Sequence, residues 1–122
     1  MLTRVAITAV LLTIAAPSVA QEATTLQVIL EKGVVIHDNI GGTAVDMHVT
    51  YKPDGTSVLN IVGPGGKGTE LAGKWRADGD KVCTSNAMNP VENCFDVPAG
   101  KKPGDSFKVM TARGEATLTI NP

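Results

Sequence analysis

TAVDMHVTYKPDGTSVLNIV, residues 43–62, is the stretch of sequence from which the fold can be predicted. Its first nine residues alternate between two faces, with Val45, Met47, Val49 and Tyr51 on one and Ala44, Asp46, His48 and Thr50 on the other. A period of two is typical of a β-strand with one buried face. Pro53 and Gly55 then mark a tight turn, and residues 56–62 return as a second strand. The stretch therefore predicts an antiparallel hairpin.

Runs rich in β-branched residues, separated by glycine, continue this pattern through the rest of the chain. All thirteen glycines fall at or after Gly33, as expected where tight turns join short strands. We predict six or seven strands, at residues 43–51, 56–62, 69–77, 80–84, 91–97, 106–112 and 115–120, with a further short candidate at 34–36. Trp75 shares its strand face with Leu71, so we expect it to be buried.

Residues 22–32 are the one predicted helix. Leu26, Ile29 and Leu30 recur at helical spacing, and Gly33 suits the C-terminal cap. Helix and strands together predict an all-β domain: an antiparallel up-and-down meander, curved into a sheet or half-barrel, with a short N-terminal helix packed on it.

The first twenty residues have the pattern of a secretory signal peptide. Arg4 precedes an uncharged, largely apolar stretch at 5–16, Pro17 follows, and Ser18-Val19-Ala20 matches the small-residue cleavage pattern. We therefore predict a signal peptide at 1–20, a single β domain at 21–122, and a periplasmic or secreted location.

The charge balance excludes some classes of partner. Without Arg4 the chain has ten basic and twelve acidic side chains, a net charge of about −2. Nucleic-acid binding needs a clustered basic face, so we expect no nucleic-acid partner. No later segment is apolar and long enough to predict a membrane span.

Cys83 and Cys94 are the only two cysteines, and in an oxidising compartment an even count predicts a disulfide. Ten residues separate them, unlike the two of a Cys-x-x-Cys redox motif, so a structural bridge is favoured over a redox or metal role. Strand phase places both thiols on the non-core face, where the bridge would tie a hairpin.

No catalytic constellation is evident, and we predict that the protein is not an enzyme. His37 and His48 are the only histidines, and no Gly-x-Ser-x-Gly is present. We expect no cofactor. His48 should lie on the polar face with Asp46, where Lys74 or Arg76 could complete a patch suited to recognition. Metal binding is an alternative, with candidate ligands His37, Asp38, Asp46, Met47, His48, Met88 and Met110, although Met47 and His48 should point to opposite faces.

The order of motifs between Tyr51 and Val97 resembles that of a group of small exported alphaproteobacterial proteins of uncharacterised function. The shared features are Pro53-Asp54-Gly55-Thr56, Gly73-Lys74-Trp75, Gly79-Asp80-Lys81-Val82-Cys83 and Cys94-Phe95-Asp96-Val97. The chain is more distantly similar to lipocalin-like β-barrel inhibitors of bacterial proteases, which also pair a Gly-x-Trp with a disulfide. The resemblance implies a disulfide-tied, lipocalin-like β meander and assigns no catalytic residue.

Three functional hypotheses follow. The first is a non-enzymatic periplasmic binding protein whose ligand is a protein, peptide or glycan of the cell envelope. The second is an inhibitor of an exported hydrolase, and the third is a periplasmic metal-handling or redox protein.

Overall fold

A computed structural model describes residues 23–66 and 68–122, so the signal peptide predicted at 1–20 lies outside the described residues. The described chain forms one helix and eight strands: α1 (Thr25–Lys32), β1 (Val34–Ile40), β2 (Thr43–Tyr51), β3 (Thr56–Val62), β4 (Gly68–Asp78), β5 (Lys81–Asn86), β6 (Asn93–Asp96), β7 (Ser106–Thr111) and β8 (Gly114–Ile120).

All eight strands belong to one antiparallel sheet in the order β6-β5-β4-β3-β2-β1-β8-β7. Strands that follow one another in the chain pair, except β6 and β7. In addition β8 pairs with β1, with Val34 opposite Ile120. This pairing bends the meander into a nearly closed barrel whose edges are β6 and β7. We call the gap between these two edges the seam. The predicted all-β antiparallel meander with a short helix is confirmed.

The predicted hairpin forms as expected, and its turn is held by a side chain. Tyr51 in β2 pairs with Ser57 in β3, and Gly55 takes a φ of 86°. The Asp54 carboxylate accepts hydrogen bonds from the Thr56 backbone N–H at 2.9 Å and from its hydroxyl at 2.6 Å. These two bonds hold the pKa of Asp54 below its usual range, so the carboxylate stays ionised and the turn stays fixed.

The first strand is longer than the predicted 34–36, because it runs to Ile40 and turns directly into β2. Gly41 and Gly42 form this turn with φ values of 60° and 82°. Two consecutive positive φ angles define the two-residue turn that matches the twist of a hairpin. The longer β1 adds Asp38 and Ile40 to the sheet, which matters for the site below.

The helix begins later than predicted, because Thr24 caps it. The Thr24 hydroxyl accepts from the Gln27 N–H at 3.2 Å, and the Gln27 side chain accepts from the Thr24 N–H at 2.9 Å. This reciprocal pair is a capping box. Val28 and Ile29 are the most buried apolar residues of the helix and belong to the barrel core. The predicted apolar face of the helix, Leu26, Ile29 and Leu30, did not include Val28, which packs against the sheet.

The core combines these helix residues with the inward faces of the strands. The buried cluster is Val28, Ile29, Val34, Val49, Tyr51, Val82, Phe95, Phe107, Val109, Ala116, Leu118 and Ile120. Trp75 packs against this cluster but is only partly buried. The prediction of the strand face on which Trp75 lies was therefore correct, but the side chain is less buried than expected. Val91, the first residue of the strand predicted at 91–97, is 74 % exposed because pairing of β6 with β5 starts only at Asn93.

The predicted disulfide joins Cys83 and Cys94, which are register partners in the β5–β6 hairpin. Cys94 is exposed and Cys83 is fully buried. Neither belongs to the buried core cluster, in keeping with the predicted non-core face. On its other side, Cys83 pairs with Arg76. The Arg76 guanidinium binds both carboxylate oxygens of Glu92 at 2.6–3.0 Å, and a Glu92 oxygen lies 3.9 Å from the Cys94 sulfur.

Candidate functional site

The barrel contains a cavity of about 280 Å³ that is partly open to solvent. Its wall is mostly apolar and includes Ile36 and Ile40 of β1 and Met47 and Val49 of β2. Residues of both sheet edges, Asn93 of β6 and Val109 of β7 among them, also line it, so the cavity reaches the seam. A concave apolar volume with a few polar groups is the usual form of a small-molecule site.

Tyr51 places a phenol in the wall of this cavity. The residue is only 6 % exposed, and its hydroxyl is buried with no hydrogen-bond partner among residues 23–66 and 68–122. Burial raises the pKa of Tyr51 above its ordinary value, so the hydroxyl stays protonated and able to donate. A buried polar group without a partner costs about 1–3 kcal/mol. Tyr51 is therefore a buried hydrogen-bond donor without a partner among the described residues.

The phenol is held rigidly by its neighbours. The Trp75 ring meets the Tyr51 ring edge to face, with centroids 5.9 Å apart and planes at 81°. The Trp75 indole N–H donates to the Lys52 carbonyl at 2.7 Å, so β4 is fixed to the turn after Tyr51. Gly73 allows Ser57 and Ser85 to approach, because a Cβ there would lie 2.8 Å from the Ser57 Oγ and 2.6 Å from the Ser85 carbonyl oxygen.

A rim of uncharged polar residues borders one side of the cavity. It consists of Thr84, Ser85, Asn86, Asn89 and Asn93. The Asn86 side-chain oxygen accepts from the backbone N–H groups of Met88 and Asn89, both at 2.9 Å, and so shapes the β5–β6 loop. Met88 and Met110 also line the cavity and are 62 % and 64 % exposed. Flexible, exposed methionines beside an apolar cavity suit the passage of a hydrophobic molecule.

Arg113 is the one charged residue among the described lining residues. Its Nε and Nη2 donate to Asp38 Oδ2 at 3.1 and 3.0 Å, and Nη2 lies 3.7 Å from the Met47 sulfur. The Asp38 side chain is only 7 % exposed. Arg113 reaches the Asp38 carboxylate at the place where β1 and β8 separate. The last register pair of these two strands is His37 with Thr117. The positive charge of Arg113 in the cavity wall is thus already paired with Asp38.

The polar patch predicted around His48 is not assembled. Asp46 and His48 do lie exposed on the outer face of β2, but the Asp46 carboxylate binds His37 Nδ1 at 2.7 Å. β3 separates β2 from β4, so Lys74 and Arg76 are not beside His48, and Arg76 instead binds Glu92. His37 Nε2 lies 3.4 Å from the Thr119 hydroxyl. These groups form a row of cross-strand pairs on an open surface.

The candidate metal ligands lie on two sides of the sheet: His37 and Asp46 pair on the outer face, whereas Met47, Met88 and Met110 line the cavity. Met47 is buried inside the barrel while His48 is exposed outside, as strand alternation predicted. Among the described residues, one group of three possible ligand atoms lies within 4.8 Å: those of Cys83, Glu92 and Cys94. Both sulfurs are in the disulfide and offer no thiolate. Arg76 hydrogen bonds hold the pKa of Glu92 below its usual range, which keeps this carboxylate committed to the ion pair.

Replacing His48 by alanine should change the free energy of unfolding by no more than about 0.5 kcal/mol, because the side chain is exposed and forms no packing contact with the core. Urea unfolding of both proteins, followed by circular dichroism, measures this. A loss above 1.5 kcal/mol would mean that His48 has a structural role the outer face does not explain.

Sequence reasoning missed the residues that define the cavity. Alternation predicts that Tyr51 faces the core. The chemistry of tyrosine could have marked it as a site residue, because a buried tyrosine hydroxyl usually has a hydrogen-bond partner. Asp38 lies two residues after Ile36 and two before Ile40. Had the predicted first strand extended to Ile40, alternation would have placed the Asp38 side chain on the inward face. Arg113, 75 positions away, has no signal in the sequence that links it to Asp38.

Comparison with protein-family models, with curated proteins and with solved structures finds no match to this chain. Across the described part of the chain, no helix combines the length and apolar character needed to cross a bilayer.

Proposed function

We propose that this protein is a non-enzymatic binding protein that holds a small, largely apolar molecule inside its barrel. The observation that carries the proposal is the buried, unpartnered Tyr51 hydroxyl in the wall of an apolar cavity. A hydrogen-bond acceptor on the ligand would satisfy it. A cavity of this size inside the barrel favours a small molecule over the protein, peptide or glycan expected from the sequence. The disulfide supports a periplasmic or secreted location for this activity.

The cavity volume bounds the size of the ligand. An apolar cavity of about 150 Å³ in another protein accommodates benzene. A cavity of about 280 Å³ therefore suits a molecule of roughly ten to twelve non-hydrogen atoms, by proportion with that case. 2-Nonanone is a suitable probe, because it has an apolar chain and a single carbonyl acceptor.

The test is calorimetric titration of 2-nonanone into the wild-type protein and the Tyr51→Phe variant. We expect saturable binding to the wild type and a weakening of about 3- to 10-fold in the variant, the effect of one neutral hydrogen bond of about 1 kcal/mol. Without ligand, Tyr51→Phe should be at least as stable as the wild type, because it removes a buried unpaired hydroxyl.

His48→Ala is the matched control, since this residue lies on the same strand but on the outer face, and its affinity should equal that of the wild type. Absence of saturable binding to the wild type would contradict the proposed function. Equal affinities of the wild type and Tyr51→Phe would contradict the role of the hydroxyl.

A further inference from the structure

We propose that the cavity selects an uncharged ligand, and that the Asp38–Arg113 pair determines this specificity. The inference rests on the proposed function and names the chemical class of its ligand: an apolar molecule with a neutral acceptor such as a ketone, aldehyde, ester or lactone carbonyl. Fatty-acid-like carboxylates of the same size are excluded by the same pair.

The first observation is the chemistry of the lining. Apart from Arg113, every described lining residue is uncharged, and the groups that can hydrogen-bond are hydroxyls and amides. Tyr51 offers a single neutral donor at a buried position. Transferring a carboxylate from water to such a site is costly unless a cation and further donors receive it. Among the described lining residues, Arg113 alone could supply that cation.

The second observation is that Arg113 is already committed. Two of its nitrogens donate to the same oxygen of Asp38, and the other Asp38 oxygen accepts from the Asn39 N–H at 2.7 Å. The Asp38 side chain is almost fully buried. A ligand carboxylate that took Arg113 would leave Asp38 as a buried, uncompensated charge, which is strongly unfavourable. Asp38 therefore acts against anions by neutralising the one cation among the described lining residues and by occupying two of its three nitrogens.

The third observation is the position of the pair. Asp38 lies on β1 between Ile36 and Ile40, both of which line the cavity, and Arg113 lies in the turn between β7 and β8. The Arg113 backbone N–H donates to the Thr111 hydroxyl at 3.2 Å, which fixes the start of this turn. The pair thus holds the guanidinium at the cavity wall and turned toward Asp38. Removal of the Asp38 charge would leave that guanidinium facing the cavity without a partner.

The experiment compares 2-nonanone with nonanoate, two probes of nearly equal length. At pH 8 nonanoate is fully ionised, since an ordinary carboxyl has a pKa of about 4–4.5. We expect the wild type to bind 2-nonanone at least 10-fold more tightly than nonanoate. In Asp38→Asn, nonanoate affinity should rise by at least 10-fold while 2-nonanone affinity changes by less than 3-fold, estimates that follow from freeing one charge-assisted hydrogen-bonding group.

The double variant Asp38→Asn/Arg113→Gln is the matched control, because it removes both charges and should again discriminate against nonanoate. Tight nonanoate binding by the wild type would overturn this inference and leave the proposed function standing. Binding of neither probe would overturn the proposed function itself. The wild-type comparison needs no variant, so the inference is testable even if Asp38→Asn folds poorly.

Discussion

Replacing Trp75 by alanine should lower the free energy of unfolding by about 3 kcal/mol, the low end of the range for large aromatic residues, because Trp75 is only partly buried. The loss has three sources: packing against the core, the edge-to-face contact with Tyr51 and the indole hydrogen bond to Lys52. Since these contacts fix the phenol that lines the cavity, 2-nonanone affinity should fall as well.

Urea unfolding followed by far-ultraviolet circular dichroism measures the stability, because the variant lacks the chain's single tryptophan. Trp75→Phe is the control: it keeps one aromatic ring against Tyr51 but removes the N–H donor and part of the indole, so it should cost about 1–2 kcal/mol. If Trp75→Ala lost less than this control, the contact between β4 and the β2–β3 turn would have no energetic importance.

Removal of the disulfide should lower the free energy of unfolding by about 3 kcal/mol, the value for a closed loop of about a dozen residues in the chain-entropy model. The bridge spans a sequence separation of 11 and ties β6, a strand of only four residues, to β5. Cys83→Ala/Cys94→Ala is the appropriate variant, since Cys83 is fully buried and alanine introduces no polar group there. Chemical denaturation of the oxidised protein and the variant gives the difference.

A second measurement concerns access to the bridge. Cys83 is buried and the Arg76–Glu92 ion pair lies beside Cys94, so mild reductant should open the bridge far more slowly in native protein than in urea. Two thiols that react at once in the native, oxidised preparation would show that the bridge is not formed.

Local patterns in the sequence were sufficient for the hairpin and the disulfide. Alternation along residues 43–51 placed Val49 and Tyr51 on the buried face, as the structure shows. The helix start was misplaced because a threonine that is a weak helix former is a strong cap, and Thr24 acts as the cap. These outcomes depend on neighbours within a few residues.

The cavity could not be predicted in the same way, because it depends on how far the sheet curves. Curvature is set by pairing between strands distant in sequence, β1 with β8, and no periodicity within either strand encodes that choice. The pairing of Asp38 with Arg113 is likewise a product of closure. A strand phase can predict that Tyr51 faces inward, but only the curved sheet shows that its hydroxyl has no partner among the described residues.

The pairing of β1 with β8 also has a consequence for how the chain reaches this state. β1 is the first strand in sequence and β8 the last, so closure must join the two ends of the domain. Contacts of such high separation carry a large loop-closure entropy and are typical of slowly folding β proteins. Until β8 arrives, β1 has one open edge and β7 has no strand beside it. The cavity therefore depends on a pairing between the first and last described strands, and we expect a chain that ends before β8 to lack it.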